Sequence, residues 1–192
     1  MKIGIYGGSF NPIHFGHIGL AVWTLTHSDL DELWLMVTPS NPLKDADWLH
    51  ANEQQRLQAA RSVIEQVNGQ YALELKDKRL RVSDLEFHLP RPSYTAQTLR
   101  TLMQQYPEHT FTLVIGEDNW QLFTRWREWE WILQHVPVMV YPRHASSMND
   151  HSSLTINHSP QRSDNTNVTF LKDAPYFDIS STQIRAEKEK TP

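Results

Sequence analysis

The sequence predicts an α/β fold, Rossmann-like and doubly wound, with a mostly parallel sheet and helices on both faces. Short apolar runs alternate along the chain with stretches whose apolar residues recur at helical spacing, and that alternation builds a parallel sheet covered on both sides. Three stretches rich in polar and small residues, Gly7 to His17, Pro39 to Lys44 and Gly116 to Asp118, begin where an apolar run stops. Ligand loops occupy that place in such sheets, at the carboxyl ends of strands. At 192 residues the chain is expected to form a single domain over 1–192, since domains run to roughly 100–200 residues.

Taken in order, Ile3 to Tyr6 is an apolar run stopped by Gly7-Gly8, a strand feeding a tight loop. His14 to about His27 carries Ile18, Ala21, Val22 and Leu25 on one helical face. Leu33 to Thr38 is a buried strand ended by Pro39, and Asn52 to Val67 a helix with Leu57, Ala60, Val63, Ile64 and Val67 on one face and Gly69 at its end. Tyr71 to Leu75 and Val82 to Phe87 alternate weakly and read as strands. Ser93 is placed to cap a helix carrying Leu99, Leu102 and Met103. Phe111 to Ile115 is a strand ended by Gly116, Trp129 to His135 a short helix, and Val136 to Tyr141 the next strand. From 144 to 167 the chain is rich in Ser, Asn and His, which predicts a long polar, mobile loop. A last strand is expected at Val168 to Leu171, and a short charged helix from about Ser180.

Composition narrows the function classes. With Cys 0 there are no disulfides, thiolate metal sites or cysteine nucleophiles. A net charge of −4 is not that of a nucleic-acid or membrane surface, both of which favour basic patches. No apolar run nears the ~18–20 residues of a membrane span, and the opening Met1 to Tyr6 is too short for a secretory apolar region. A cytoplasmic protein with small-molecule partners, neither nucleic acid nor membrane, is expected. Whether it forms a homo-oligomer is left open by the sequence.

The most informative stretch is GGSFNPIHFGH, Gly7 to His17. Its glycines let backbone approach a ligand. His14 and His17 stand three apart at a helix start, so both imidazoles share a face. The unpaired N–H groups of that helix end make an anion site. Loop glycines, two histidines and a helix N-terminus together suit a polyphosphate. Neither G-x-G-x-x-G nor G-x-x-x-x-G-K-[ST] occurs, which argues against dinucleotide oxidoreductases and P-loop enzymes.

GSFNPIHFGH resembles the HxGH signature of the nucleotidyltransferase superfamily, and ISSTQIR, Ile179 to Arg185, resembles the ISSTxIR signature that closes the same site in those enzymes. The two lie about 165 residues apart in the right order. PSNPLK (Pro39 to Lys44), SYTAQTL (Ser93 to Leu99), IGEDNWQLFTRW (Ile115 to Trp126) and YPR (Tyr141 to Arg143) are similar to bacterial nicotinate-nucleotide adenylyltransferases. That resemblance implies transfer of the adenylyl group of ATP, with Mg²⁺ carried by its phosphates, to nicotinate mononucleotide. It places Gly8, Ser9, Phe10, Gly116 and Asp118 around ATP, with Asp118 accepting from a ribose hydroxyl. His14 and His17 would meet the phosphates, and Ser181, Thr182 and Arg185 the β- and γ-phosphates. His14, His17, Lys44 and Arg185 form the implied catalytic set, with His17 acting at the α-phosphate. Asn41, Lys44, Tyr94, Thr95 and Trp126 would hold the mononucleotide, Trp126 by stacking on its pyridine ring. Two other readings share the outer signatures: pantetheine-phosphate adenylyltransferase, and a nucleotide-binding protein without turnover.

Overall fold

The computed structural model describes residues 1–39, 53–142, 167–177, 179 and 181–189. The strands are β1 (Lys2–Gly8), β2 (Glu32–Val37), β3 (Arg79–Ser83), β4 (Thr110–Gly116), β5 (Val138–Tyr141) and β6 (Val168–Phe170). They form one sheet in the order β3-β2-β1-β4-β5-β6, and every neighbouring pair is parallel. The helices are α1 (Phe15–Thr26), α2 (Glu53–Gln70), α3 (Ala72–Leu75), α4 (Thr95–Gln105), α5 (Glu117–Gln121), α6 (Trp129–His135) and α7 (Ser181–Glu189). Strand order changes direction between β1 and β4, so the loops leaving those two strands diverge and open a crevice at their carboxyl ends.

The sheet is apolar on both faces because helices cover both. On one face Leu20, Ala21 and Leu25 of α1 and Leu57, Ala60 and Ile64 of α2 pack on Tyr6, Leu33, Leu35, Leu80 and Val114. On the other, Leu99 and Leu102 of α4 and Ile132 and Leu133 of α6 pack on Ile3, Ile5, Met36, Leu113 and Ile115. Period-two alternation in β1 and β4 thus supplies two cores.

One expected strand is absent and another is displaced along the chain. Tyr71 to Leu75 runs into α3, with the Leu75 N–H donating to the Tyr71 carbonyl. The alternation of Tyr71, Leu73 and Leu75 misled because Leu73 is 90% exposed and buries nothing. Gly69 does not end the preceding helix but lies inside α2. Val82 to Phe87 divides into the end of β3 and a 3₁₀ turn, Leu85–His88. β3 starts earlier than expected, at Arg79, because its pairing with β2 begins there, opposite Glu32, to which Arg81 also reaches at 2.8 Å. Ser93 does not cap α4. The N-cap is Tyr94, without a side-chain bond, and Ser93 is buried instead. The strand after α6 begins at Val138 rather than Val136. Asn52, and the expected loop up to residue 166, lie outside the described residues.

No helix among the described residues is long and apolar enough to cross a membrane.

Candidate active site

A cleft of about 640 Å³ opens at the carboxyl ends of β1 and β4. Gly8, Ser9, Phe10, His14 and His17 line it from the first signature, and Ser181, Thr182 and Arg185 from the last. Gly116, Asp118, Tyr94, Thr95 and Trp126 complete the set of expected residues on its walls. Asn41 and Lys44 lie outside the described residues.

The loop after β1 turns back on itself. Phe10 takes a left-handed backbone conformation, φ 44°, and its buried ring sits over Gly8, where a Cβ would meet it at 3.1–3.2 Å. The same ring stands edge-on to His17, centroids 5.1 Å apart, and to Tyr6 at 5.6 Å. Phe10 thereby forms the floor beneath the first signature as well as part of its wall.

His14 is the extended residue that caps α1. Its backbone N–H donates to Nδ1 of His17 at 3.3 Å. Accepting there puts the proton of a neutral His17 on Nε2, a donor rather than an acceptor. The two imidazoles lie together, centroids 3.7 Å apart, as the three-residue spacing at a helix start requires. At the start of α1 the N–H groups of His17 and Ile18 donate to the His14 carbonyl, at 3.0 and 3.2 Å.

The C-terminal segment is tied to this loop directly. Ser181 Oγ donates to the Pro12 carbonyl at 2.9 Å. Arg185 donates from Nη1 to the Asn11 carbonyl and from Nη2 to Thr182 Oγ1 at 3.0 Å. Ser181 therefore spends its one hydroxyl proton on the loop, and the Thr182 hydroxyl oxygen accepts from Arg185. The approach is close: a Cβ at Gly16 would come within 2.8 Å of Ile179 Cγ2. Gly16 thus permits helix-to-segment contact.

On the opposite wall, Tyr94 and Thr95 start α4 and Trp126 follows the 3₁₀ turn Phe123–Arg125. Arg127 lays its guanidinium over the Tyr94 ring, 4.9 Å from the centroid. Glu128, in a left-handed conformation at φ 59°, starts α6 and pairs with Arg100 of α4 at 2.6 Å. The chain just after Trp126 is thus held to α4 at two points.

Sequence reasoning missed two buried charged residues beside the cleft. Arg56 of α2 is 4% exposed and bonds to loop carbonyls after β1 and β2. Burial pulls its guanidinium below its ordinary value, and nearby Glu53 works the other way. Glu86, 6% exposed, lines the cleft and accepts from Thr98 Oγ1 at 2.8 Å. Burial pushes its carboxyl up, and the hydrogen bond from Thr98 offsets part of that. The only signal in the chain was position: Arg56 sits among apolar helix positions, and Glu86 between two.

The Glu86 shift has a definite sign. A raised carboxyl holds its proton more tightly folded than unfolded, so its favourable contribution is full below about 4.5, the ordinary value. That contribution is lost as pH rises through the folded value. Stability should therefore decline with pH across that interval. Glu86→Gln, which cannot ionise, should flatten the dependence and gain on the parent at pH 8. Urea unfolding from pH 5 to 8 measures both slopes, and parallel slopes would contradict the burial argument.

A family model described as cytidylyltransferase-like matches residues 5–187. A Bacteroides fragilis protein named "Probable nicotinate-nucleotide adenylyltransferase" is 46% identical over 184 residues, covering 96% of this chain and 80% of that one. A Flavobacterium johnsoniae protein of the same name is 39% identical over 185 residues, covering 96% and 85%. The Plasmodium falciparum nicotinic acid mononucleotide adenylyltransferase, solved in complex with NaAD, superposes with a TM-score of 0.69 at 20% identity, covering 96% of this chain and 82% of that one, a likeness of fold. With the family model spanning most of its length and relatives this similar along it, the chain belongs to the nicotinate-nucleotide adenylyltransferase family of cytidylyltransferase-like proteins.

Proposed function

We propose that the chain, acting through one nucleotidyltransferase domain, transfers the adenylyl group of MgATP to nicotinate mononucleotide. The products are nicotinate adenine dinucleotide and pyrophosphate, a step of NAD biosynthesis. The observation that carries this reading is the meeting of the two signatures: residues 169 and 174 positions apart in the chain are hydrogen-bonded at one cleft.

The chemistry asks for donors and alignment. A phosphate oxygen of the mononucleotide, anionic at neutral pH, attacks the α-phosphorus in line. The bond from that phosphorus to the bridging oxygen breaks, and pyrophosphate leaves with the electron pair. No general base is needed, so catalysis is placement of two repelling anions and stabilisation of the charge they share. His17, with Nε2–H as donor, is assigned to the α-phosphate. His14, Thr182, Arg185 and the α1 N-terminus are assigned to the remaining phosphate oxygens, as cationic forks and helix ends suit them. Ser181 acts through its place at the helix start. Gly8, Ser9 and Phe10 form the loop beneath ATP, with Gly116 and Asp118 beside the adenosine. Magnesium accompanies ATP as part of the substrate, held on phosphate oxygens. Among the described residues no three His, Asp or Glu side chains are gathered to hold a metal.

Tyr94, Thr95 and Trp126 are assigned to the pyridine end of the acceptor. Trp126→Ala should raise KM for the mononucleotide by about tenfold or more, the worth of an aromatic stacking partner, with MgATP affinity unchanged. Steady-state kinetics with each substrate varied tests it, and a loss of MgATP affinity instead would place the tryptophan elsewhere. The reaction itself is tested by pyrophosphate release from MgATP with nicotinate mononucleotide, nicotinamide mononucleotide or phosphopantetheine. Release is expected with the first. Release with phosphopantetheine alone would assign the chain to the other adenylyltransferase, and MgATP binding without release would make it a non-catalytic binder.

A further inference from the structure

β1 and β2 run parallel in register to Gly8 opposite Val37, and the Thr38 N–H still donates to the Gly8 carbonyl at 2.9 Å. There the ladder stops. Pro39 has no N–H to offer, and the two chains part, each into a loop. The carbonyls of Ser9, Thr38 and Pro39 are left converging at the fork. Arg56 fills it from α2: Nη1 donates to Ser9 and, at 3.0 Å, to Thr38, and Nη2 to Pro39 at 3.3 Å.

This arrangement suits a guanidinium in particular. Its planar fork reaches both chains at once, whereas an ammonium is a single point of charge on a flexible stem. An apolar residue would cover this position of α2 without the cost of desolvating a cation. What the arginine adds is a fixed spacing between the loop after β1 and the segment after β2. Ser9 and Thr38 both line the cleft.

We propose that Arg56 is a positioning residue: by joining these loops it sets the alignment of the two substrates for in-line attack. The inference rests on the adenylyl transfer proposed above. Arg56 touches neither substrate. It acts through the backbone of Ser9 and Thr38, so its loss should appear in turnover more than in binding.

Arg56→Lys keeps the charge and loses the fork, and Arg56→Met keeps the length and loses both. With MgATP and nicotinate mononucleotide, kcat should fall by about tenfold in the lysine variant and by about 10²-fold in the methionine variant, the scale of a small misplacement of reacting groups. KM for the mononucleotide, and MgATP affinity by calorimetry, should each stay within about threefold of the parent. Thermal melts of all three proteins give the folded fraction at assay temperature. The inference is overturned if kcat in both variants stays within twofold of the parent, if it falls only in proportion to that fraction, or if binding weakens as much as turnover. Should the methionine variant fail to fold, the lysine variant alone decides by the same criteria. Parent protein without pyrophosphate release would instead overturn the proposed reaction, and this inference with it.

Discussion

Replacing His17 by alanine is expected to lower kcat for adenylyl transfer by at least ~10²-fold, the usual cost of removing a donor aimed at transition-state charge. MgATP affinity should change much less. The reason for the split lies in the tautomer: His17 accepts from the His14 backbone through Nδ1, which leaves Nε2–H for the α-phosphate. That phosphate gains charge on its equatorial oxygens only as the bond order changes, so the donor acts mainly in the transition state. The ring also packs edge-on to Phe10, so a melt should accompany the kinetics. An unchanged kcat with a raised KM for ATP would show that His17 contributes ground-state binding alone.

The second large effect is expected at a residue with no chemistry. A Cβ at Gly19 would overlap the ring of Phe177, with a further ring atom at 2.9 Å. Gly19→Val should therefore push the Phe177 segment off α1. That segment leads through Ile179 into α7, whose Ser181 and Arg185 bond to Pro12 and Asn11. The substitution should weaken MgATP binding by about tenfold or more, and overpacking should lower stability by about 1–3 kcal/mol. Phe177→Ala in the same protein should restore part of both, because the two residues compete for one space and their effects will not add. Calorimetric ATP titrations and melts of the four proteins complete the cycle. Parent-like affinity in Gly19→Val would mean that the C-terminal segment is not held by this contact.

Several features of the site were legible in the chain. Gly8 and the His14–His17 pair belong to a local pattern, and their geometry follows from a helix start and a tight turn. The meeting of the first and last signatures was inferred by family resemblance rather than from spacing. Other features were not legible. Ser93 has the composition of a helix cap, yet it is buried, and Tyr94 takes the cap position. Tyr71 to Leu75 has strand alternation, yet it forms the turn of α3 with Leu73 turned to solvent.

By itself the sequence determined the alternation of strands and helices, the glycine-lined turn after β1 and the placing of polar loops after apolar runs. Each is a property of residues near one another in the chain, governed by periodicity and backbone preference. Only the tertiary structure decided the order β3-β2-β1-β4-β5-β6, the burial of Arg56 and Glu86, and the reason Gly16 and Gly19 lack side chains. Those outcomes depend on what distant segments bring to the same place. A buried charge is tolerable only where remote carbonyls or hydroxyls receive it, and a missing Cβ matters only where another part of the chain fills its space.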